Sequence, residues 1–145
     1  MKKYGLILLV CLLAGCVNSG ELKQFPPKDY PRLTQESFSQ EETVELEHIT
    51  ICYVPHYEKG QQKVRISGSI SLNRDKILPG SIVNEFALNL FGLDKDYTVI
   101  NKGNFSRLSF PSGEDTIPFE IDLPYETAVE FIGFKYGFKH IYHLT

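Results

Sequence analysis

Apolar and polar positions change rhythm three times along the chain. Residues 6–13 form an apolar run, residues 17–43 are polar with isolated hydrophobes, and from residue 44 onward apolar and polar positions alternate in short blocks. The blocks are rich in Val, Ile, Phe, Tyr and Thr and are broken by Gly, Pro and Asn at roughly eight- to twelve-residue intervals, the pattern of an all-β sandwich or barrel. Strands are predicted over 44–54, 63–72, 83–91, 97–100, 105–110, 116–123 and 128–136, with a short last one over 139–144. Side chains on a strand alternate between its two faces. Val64, Ile66, Gly68, Ile70 and Leu72 therefore share one face, as do Phe86, Leu88 and Leu90. Ile117, Phe119, Ile121 and Leu123 repeat the device with Thr116, Glu120 and Asp122 outward, so these apolar sets form the predicted core. The run 81–91 has helical propensity, but the period-two placement of Phe86, Leu88 and Leu90 favours a strand.

The polar stretch before this region contains Pro26, Pro27 and Pro31 and has little apolar periodicity. It is expected to be a flexible tether over 16–43, with a root-mean-square span of roughly 25–30 Å. Phe25, Tyr30, Leu33 and Phe38 interrupt its polarity, and local packing of these few side chains is expected.

The amino terminus carries a different message. Lys2 and Lys3 precede the apolar run, which closes on Leu13-Ala14-Gly15-Cys16. The lysines hold the start of the chain on the cytoplasmic side, the apolar run enters the membrane, and the small residues before Cys16 admit a peptidase. A spanning helix needs about 20 apolar residues, and here Asn18, Ser19 and Glu21 follow at once. All four positions fit a lipobox, so the expectation is a lipoprotein signal peptide over 1–15, lipidation at Cys16, and a β domain over 44–145. The resemblance to bacterial lipoproteins implies a diacylglyceryl thioether and an amide-linked acyl chain such as palmitate on that cysteine. One acyl chain anchors only marginally, whereas two or more anchor stably. Val17 and Asn18 follow Cys16 where inner-membrane retention would use Asp. This implies a lipid-anchored outer-membrane location in a Gram-negative cell, and otherwise the cell membrane.

Removal of the signal leaves 130 residues, one domain of ordinary size. Its 13 basic and 18 acidic side chains give a formal charge of about −5. Such a body has no electrostatic footprint for nucleic acid, so none is expected as a partner. Cys11 lies in the signal and Cys16 takes lipid, leaving Cys52 without an intramolecular partner. A disulfide-stapled scaffold is excluded, and a buried structural thiol is expected.

Candidate chemistry is sparse. No Gly-x-Ser-x-Gly elbow, His-Glu-x-x-His helix or phosphate-binding glycine loop occurs, so no catalytic residue, metal or cofactor is expected. His140 and His143 are three apart and would point to opposite faces of a strand, unsuited to sharing a metal. Asp94 and Asp96 are expected in a solvated hairpin turn. The carboxyl-terminal segment 131–142 is dense in rings. Alternation places Phe131, Gly133, Lys135, Gly137 and Lys139 on one face and Ile132, Phe134, Tyr136, Phe138 and His140 on the other. One face would be core and the other open, glycine-lined and basic, and Phe131, Phe134, Tyr136 and Phe138 are the candidate partner-binding residues.

The strand 85–91, the loop Gly92-Leu93-Asp94-Lys95-Asp96, and Pro111-Ser112-Gly113-Glu114 followed by Pro118-Phe119-Glu120-Ile121 resemble the FxLYD family over roughly residues 64 to 136. The resemblance implies an immunoglobulin-like antiparallel β-sandwich of about seven strands in an extracytoplasmic lipoprotein. Leu72-Asn73-Arg74-Asp75 and Asn104-Phe105-Ser106-Arg107-Leu108 also resemble the small outer-membrane lipoprotein of type VI secretion. Neither family supplies a catalytic residue. The expected function is noncatalytic binding of another envelope component, in particular an envelope protein, either as an accessory of a secretion or surface assembly or as a stabiliser of a partner protein. The alternative is a periplasmic small-ligand-binding or enzymatic domain.

Overall fold

The structure is a computed structural model that describes residues 23–142 except 80, 104, 105, 109 and 111–113. The lipobox with Cys16, the Pro111-Ser112-Gly113 turn and His143 lie outside the described residues. Eight strands are described: β1 (Glu42–Glu45), β2 (Ile49–Glu58), β3 (Lys63–Leu72), β4 (Ser81–Leu93), β5 (Val99–Lys102), β6 (Ser106–Leu108), β7 (Thr116–Pro124) and β8 (Phe131–Tyr142). They form two antiparallel sheets packed as an all-β sandwich. The first runs β1-β2-β3-β7. In the second, β4 is central: β8 pairs along its length, and β6 and β5 share its other edge.

Alternation builds the core. Ile49, Ile51 and Tyr53 of β2, Val64, Ile66, Ile70 and Leu72 of β3, and Ile117, Phe119, Ile121 and Leu123 of β7 are buried together with Phe86, Leu88 and Leu90 of β4 and Ile132 of β8. Val83 joins them although it is three residues before Phe86, because the β4·β8 register shifts between Val83 and Glu85. The extra residue of a bulge reverses the parity of a strand, so both side chains face inward.

Two expected boundaries differ. The strand expected over 44–54 is two strands, β1 and β2, joined by a tight hairpin in which the Leu46 N–H donates to the Ile49 carbonyl at 2.8 Å. Leu46, Glu47 and His48 carry no glycine or proline that would mark this turn. The strands expected over 128–136 and 139–144 are one continuous β8, in which Gly137 pairs with Ala87 without breaking the ladder. Cys52 also departs from expectation. It is free and only half-buried, on the outer face of β2, with its Sγ 3.4 Å from Thr43 Oγ1. Ile51 and Tyr53 take the inward positions on either side of it.

From residue 23 onward, the segment expected as a free tether is docked. Val99 N–H donates to the Lys23 carbonyl (3.0 Å) and Phe25 N–H to the Tyr97 carbonyl (2.9 Å), fixing the segment to the β5 side. Ile132 N–H donates to the Pro31 carbonyl and Leu33 N–H to the Glu130 carbonyl, both at 2.9 Å, fixing it to β8. Residues 23–33 therefore cross the outer face of the second sheet as a strap. Phe25 and Leu33 are buried, and a single 3-10 turn at Gln35–Ser37 leads into β1.

Candidate ligand-binding face

The outer face of the second sheet is set by register. Ala87 lies opposite Gly137, Asn89 opposite Lys135, Phe91 opposite Gly133 and Lys102 opposite Phe91. Because Phe86, Leu88 and Leu90 point into the core, these alternate positions point away from it.

One end of this face is closed by the strap. Phe25 packs on Phe91 (ring centroids 5.2 Å) and Tyr30, and Tyr30 packs on Tyr97 at 5.5 Å. Tyr97 in turn touches Phe131 at 5.4 Å, and the Arg32 guanidinium lies 5.6 Å from the Phe131 ring centroid. Tyr30 Oη donates to the Pro26 carbonyl at 2.7 Å, which closes the strap on itself. Burial, and then the neighbouring Tyr97, raise the Tyr30 pKa above the usual phenol value. The β4–β5 turn beneath is held by Asp94, whose Oδ1 accepts from the N–H groups of Asp96 (2.8 Å) and Thr98 (3.0 Å). Asp94 thus serves as a turn former, as expected of this loop. Tyr97 takes φ 62°, a left-handed conformation stabilised here by ring contacts on both sides.

Beyond the strap the face opens into a cavity of about 750 Å³. Ala87 and Gly137 leave its floor low, and Lys23, Lys102 and Lys135 stand in its wall, with no carboxylate among the lining residues. Lys102 Nζ lies 5.8 Å from the Phe91 ring centroid. Asn101 also reaches the cavity, but its Nδ2 is committed to the Pro124 carbonyl at 2.6 Å. A concavity of this volume is the size of a small-molecule site.

The four candidate partner-binding rings do not share one surface. Phe131 lies beside the strap, whereas Phe134, Tyr136 and Phe138 pack against the inter-sheet core. Phe134 meets Tyr53 at 5.5 Å and Tyr136 stacks on Phe86 at 6.0 Å. His48 closes the core edge: its N–H donates to Tyr136 Oη at 3.2 Å, its Nδ1 lies 3.0 Å from the same oxygen, and its ring meets Phe138 at 5.4 Å. The open, glycine-lined basic face expected on β8 is found at Lys135 and Gly137, while Gly133 is covered by Phe25. Lys23 and Lys102 were not legible as part of this face, because the strap and the β5 pairing bring them there from distant positions. Among the described residues no group of three His, Cys, Asp or Glu converges as a metal site, and no helix is long and apolar enough to cross a membrane.

No protein-family model, curated protein or solved structure matches the chain.

Proposed function

We propose that the chain is a lipid-anchored, noncatalytic β-sandwich of the cell envelope that binds another envelope component on the outer face of its second sheet. The cavity carries this reading: three lysines and no carboxylate line it, although the mature chain is acidic. The lipobox ending at Cys16 supports the anchor. In a Gram-negative cell the reading places the domain at the outer membrane, as an accessory of a secretion or surface assembly. The second reading, a periplasmic small-ligand-binding domain, is favoured by the volume of about 750 Å³.

The anchor is tested by Cys16→Ser. The variant is expected to leave the membrane fraction and to lose palmitate labelling; full retention of both rejects the lipoprotein reading. The binding face is tested by isolating the acylated protein from solubilised envelope beside a Gly137→Leu variant. An envelope component enriched with wild type and lost with the variant supports the reading, and identical recovery with both rejects this face.

A further inference from the structure

We infer that the concavity between Lys23, Lys102 and Lys135 binds a phosphate group, supplied by a phospholipid headgroup at the membrane that holds the anchor. The location rests on the lipoprotein reading above; the phosphate chemistry rests on the site itself.

The charges around the cavity differ from the paired ones on the outer face of the first sheet in having no acid beside them in the cavity lining. On the outer face of the first sheet, Lys63 pairs with Glu58 and Asp122, and Arg65 with Glu58, Glu120 and Asp122. Arg74 pairs with Asp115. Lys23, Lys102 and Lys135 form no ion pair among the described residues, and the cavity lining holds no acid to neutralise them. Like charges gathered without counterions repel one another, and a bound anion relieves that repulsion. Lysine binds phosphate as a mobile point charge with three donors, so three of them can close on one headgroup without a rigid frame.

Space is reserved for the ligand. A Cβ built at Gly137 meets nothing within 4 Å, so packing does not demand glycine there, and a side chain would project into the cavity. The Phe91 ring and the Ala87 methyl provide apolar wall and floor suited to the glycerol carbons beside a phosphate.

Chain length places the source. Lys23 lies seven residues after Cys16. Seven extended residues span at most about 25 Å, so the cavity wall cannot stray far from an anchored thioether. The docked strap replaces the long free tether, and headgroup phosphates are the anions concentrated within this reach.

The test uses the full chain with Cys16→Ser, so that binding is read independently of lipidation. Amide NMR follows titration with inorganic phosphate, glycerol 3-phosphate and dihexanoyl phosphatidylglycerol below its micelle concentration. Saturable shifts at Ala87, Lys102 and Gly137 are expected with the short-chain lipid, weaker with the two soluble phosphates. Lys102→Glu and Lys135→Glu should each weaken binding roughly tenfold or more, and Gly137→Leu should abolish it with the dispersion of the spectrum unchanged. Equal or tighter binding of glycerol 3-phosphate supports the phosphate site and rejects the headgroup as its source. Absence of saturable shifts with all three probes, or shifts insensitive to folded charge-reversal variants, overturns the proposal. Undiminished palmitate labelling of Cys16→Ser in cells overturns the anchor reading, while the titration still decides the phosphate site.

Discussion

Gly133 lies directly beneath Phe25: a Cβ on Gly133 would stand 2.8 Å from Phe25 Cε1 and 2.9 Å from its Cζ. The absence of a side chain on β8 lets the strap ring settle onto Phe91 and Leu93, where Phe25 is buried. A single glycine therefore couples the segment next to the anchor to the body of the domain.

Gly133→Val should dislodge this ring. Overpacking of a close contact costs roughly 1–3 kcal/mol, and here the strap can lift instead of the sheet deforming. We expect faster tryptic cleavage after Arg32, with the far-ultraviolet circular dichroism of the sandwich retained. Cleavage at the wild-type rate would show that the strap is held without Phe25.

Phe119→Ala should destabilise the domain by roughly 3–5 kcal/mol, the range for removing a buried ring. Phe119 is buried between Ile117 and Ile121 on β7, which faces the second sheet. An unchanged denaturant midpoint would contradict that orientation.

The placement of Phe119 was legible because β7 keeps strict alternation of exposed and buried positions from Thr116 to Leu123. β3 was legible for the same reason, and its bounds fall where the pattern puts them. The hairpin at His48 was not, since its turn residues are ordinary and its partners are distant: Asn73 N–H donates to the His48 carbonyl and Asn73 Nδ2 to the Leu46 carbonyl. The strap was hidden by its prolines. Phe25, Tyr30 and Leu33 follow no helical or strand period, because each fills a separate gap in a surface built by later residues. Half of the candidate site was readable on β8, where Lys135 and Gly137 alternate, while Lys23 and Lys102 depend on tertiary pairing.

Tyr53→Phe should stabilise the protein. The Tyr53 ring is buried against Phe134, and its hydroxyl has no hydrogen-bond partner among the described residues. Burial, and secondarily the charge of Glu42, push its pKa well above the ordinary phenol range. An unsatisfied buried hydroxyl costs about 1–3 kcal/mol, so its removal is expected to raise the denaturant midpoint. A lower midpoint would mean that the hydroxyl bonds a trapped water.

Acid should weaken the first sheet through Asp122. Lys63 Nζ donates to Asp122 Oδ2 at 2.9 Å and Arg65 Nε to Oδ1 at 3.2 Å. The Lys63 hydrogen bond is the main cause holding this carboxyl below the usual carboxylate range; burial opposes it and the Arg65 bond assists. A depressed folded pKa adds stability above the unfolded value, about 3.9, and loses it as pH falls through the folded value. Asp122→Asn should therefore flatten the loss of stability below about pH 4. The same bond raises the Lys63 pKa, so its contribution persists to the alkaline side and fades only above about pH 10. A variant with the wild-type acid profile would reject Asp122 as the linked group.

Replacing residues 23–36 with an equally long Gly-Ser linker distinguishes a docked strap from a passive spacer. The replacement keeps the reach of the chain but removes two buried side chains, Phe25 and Leu33. It also leaves Ile132 N–H and Phe25's neighbours on β5 without the side-chain packing that holds their strap partners in place. Leu33 belongs to the main inter-sheet core, so its loss should be felt beyond the strap. We expect the domain to lose roughly 5–10 kcal/mol, the combined range for a buried phenylalanine and a buried leucine, and the aromatic cluster around Phe91 to become solvent-accessible, read as new dye binding. A replacement as stable as wild type would return this segment to the role of a free tether. In that case its sequence would matter only through length, and the position of Lys23 in the cavity wall would no longer be fixed by the fold.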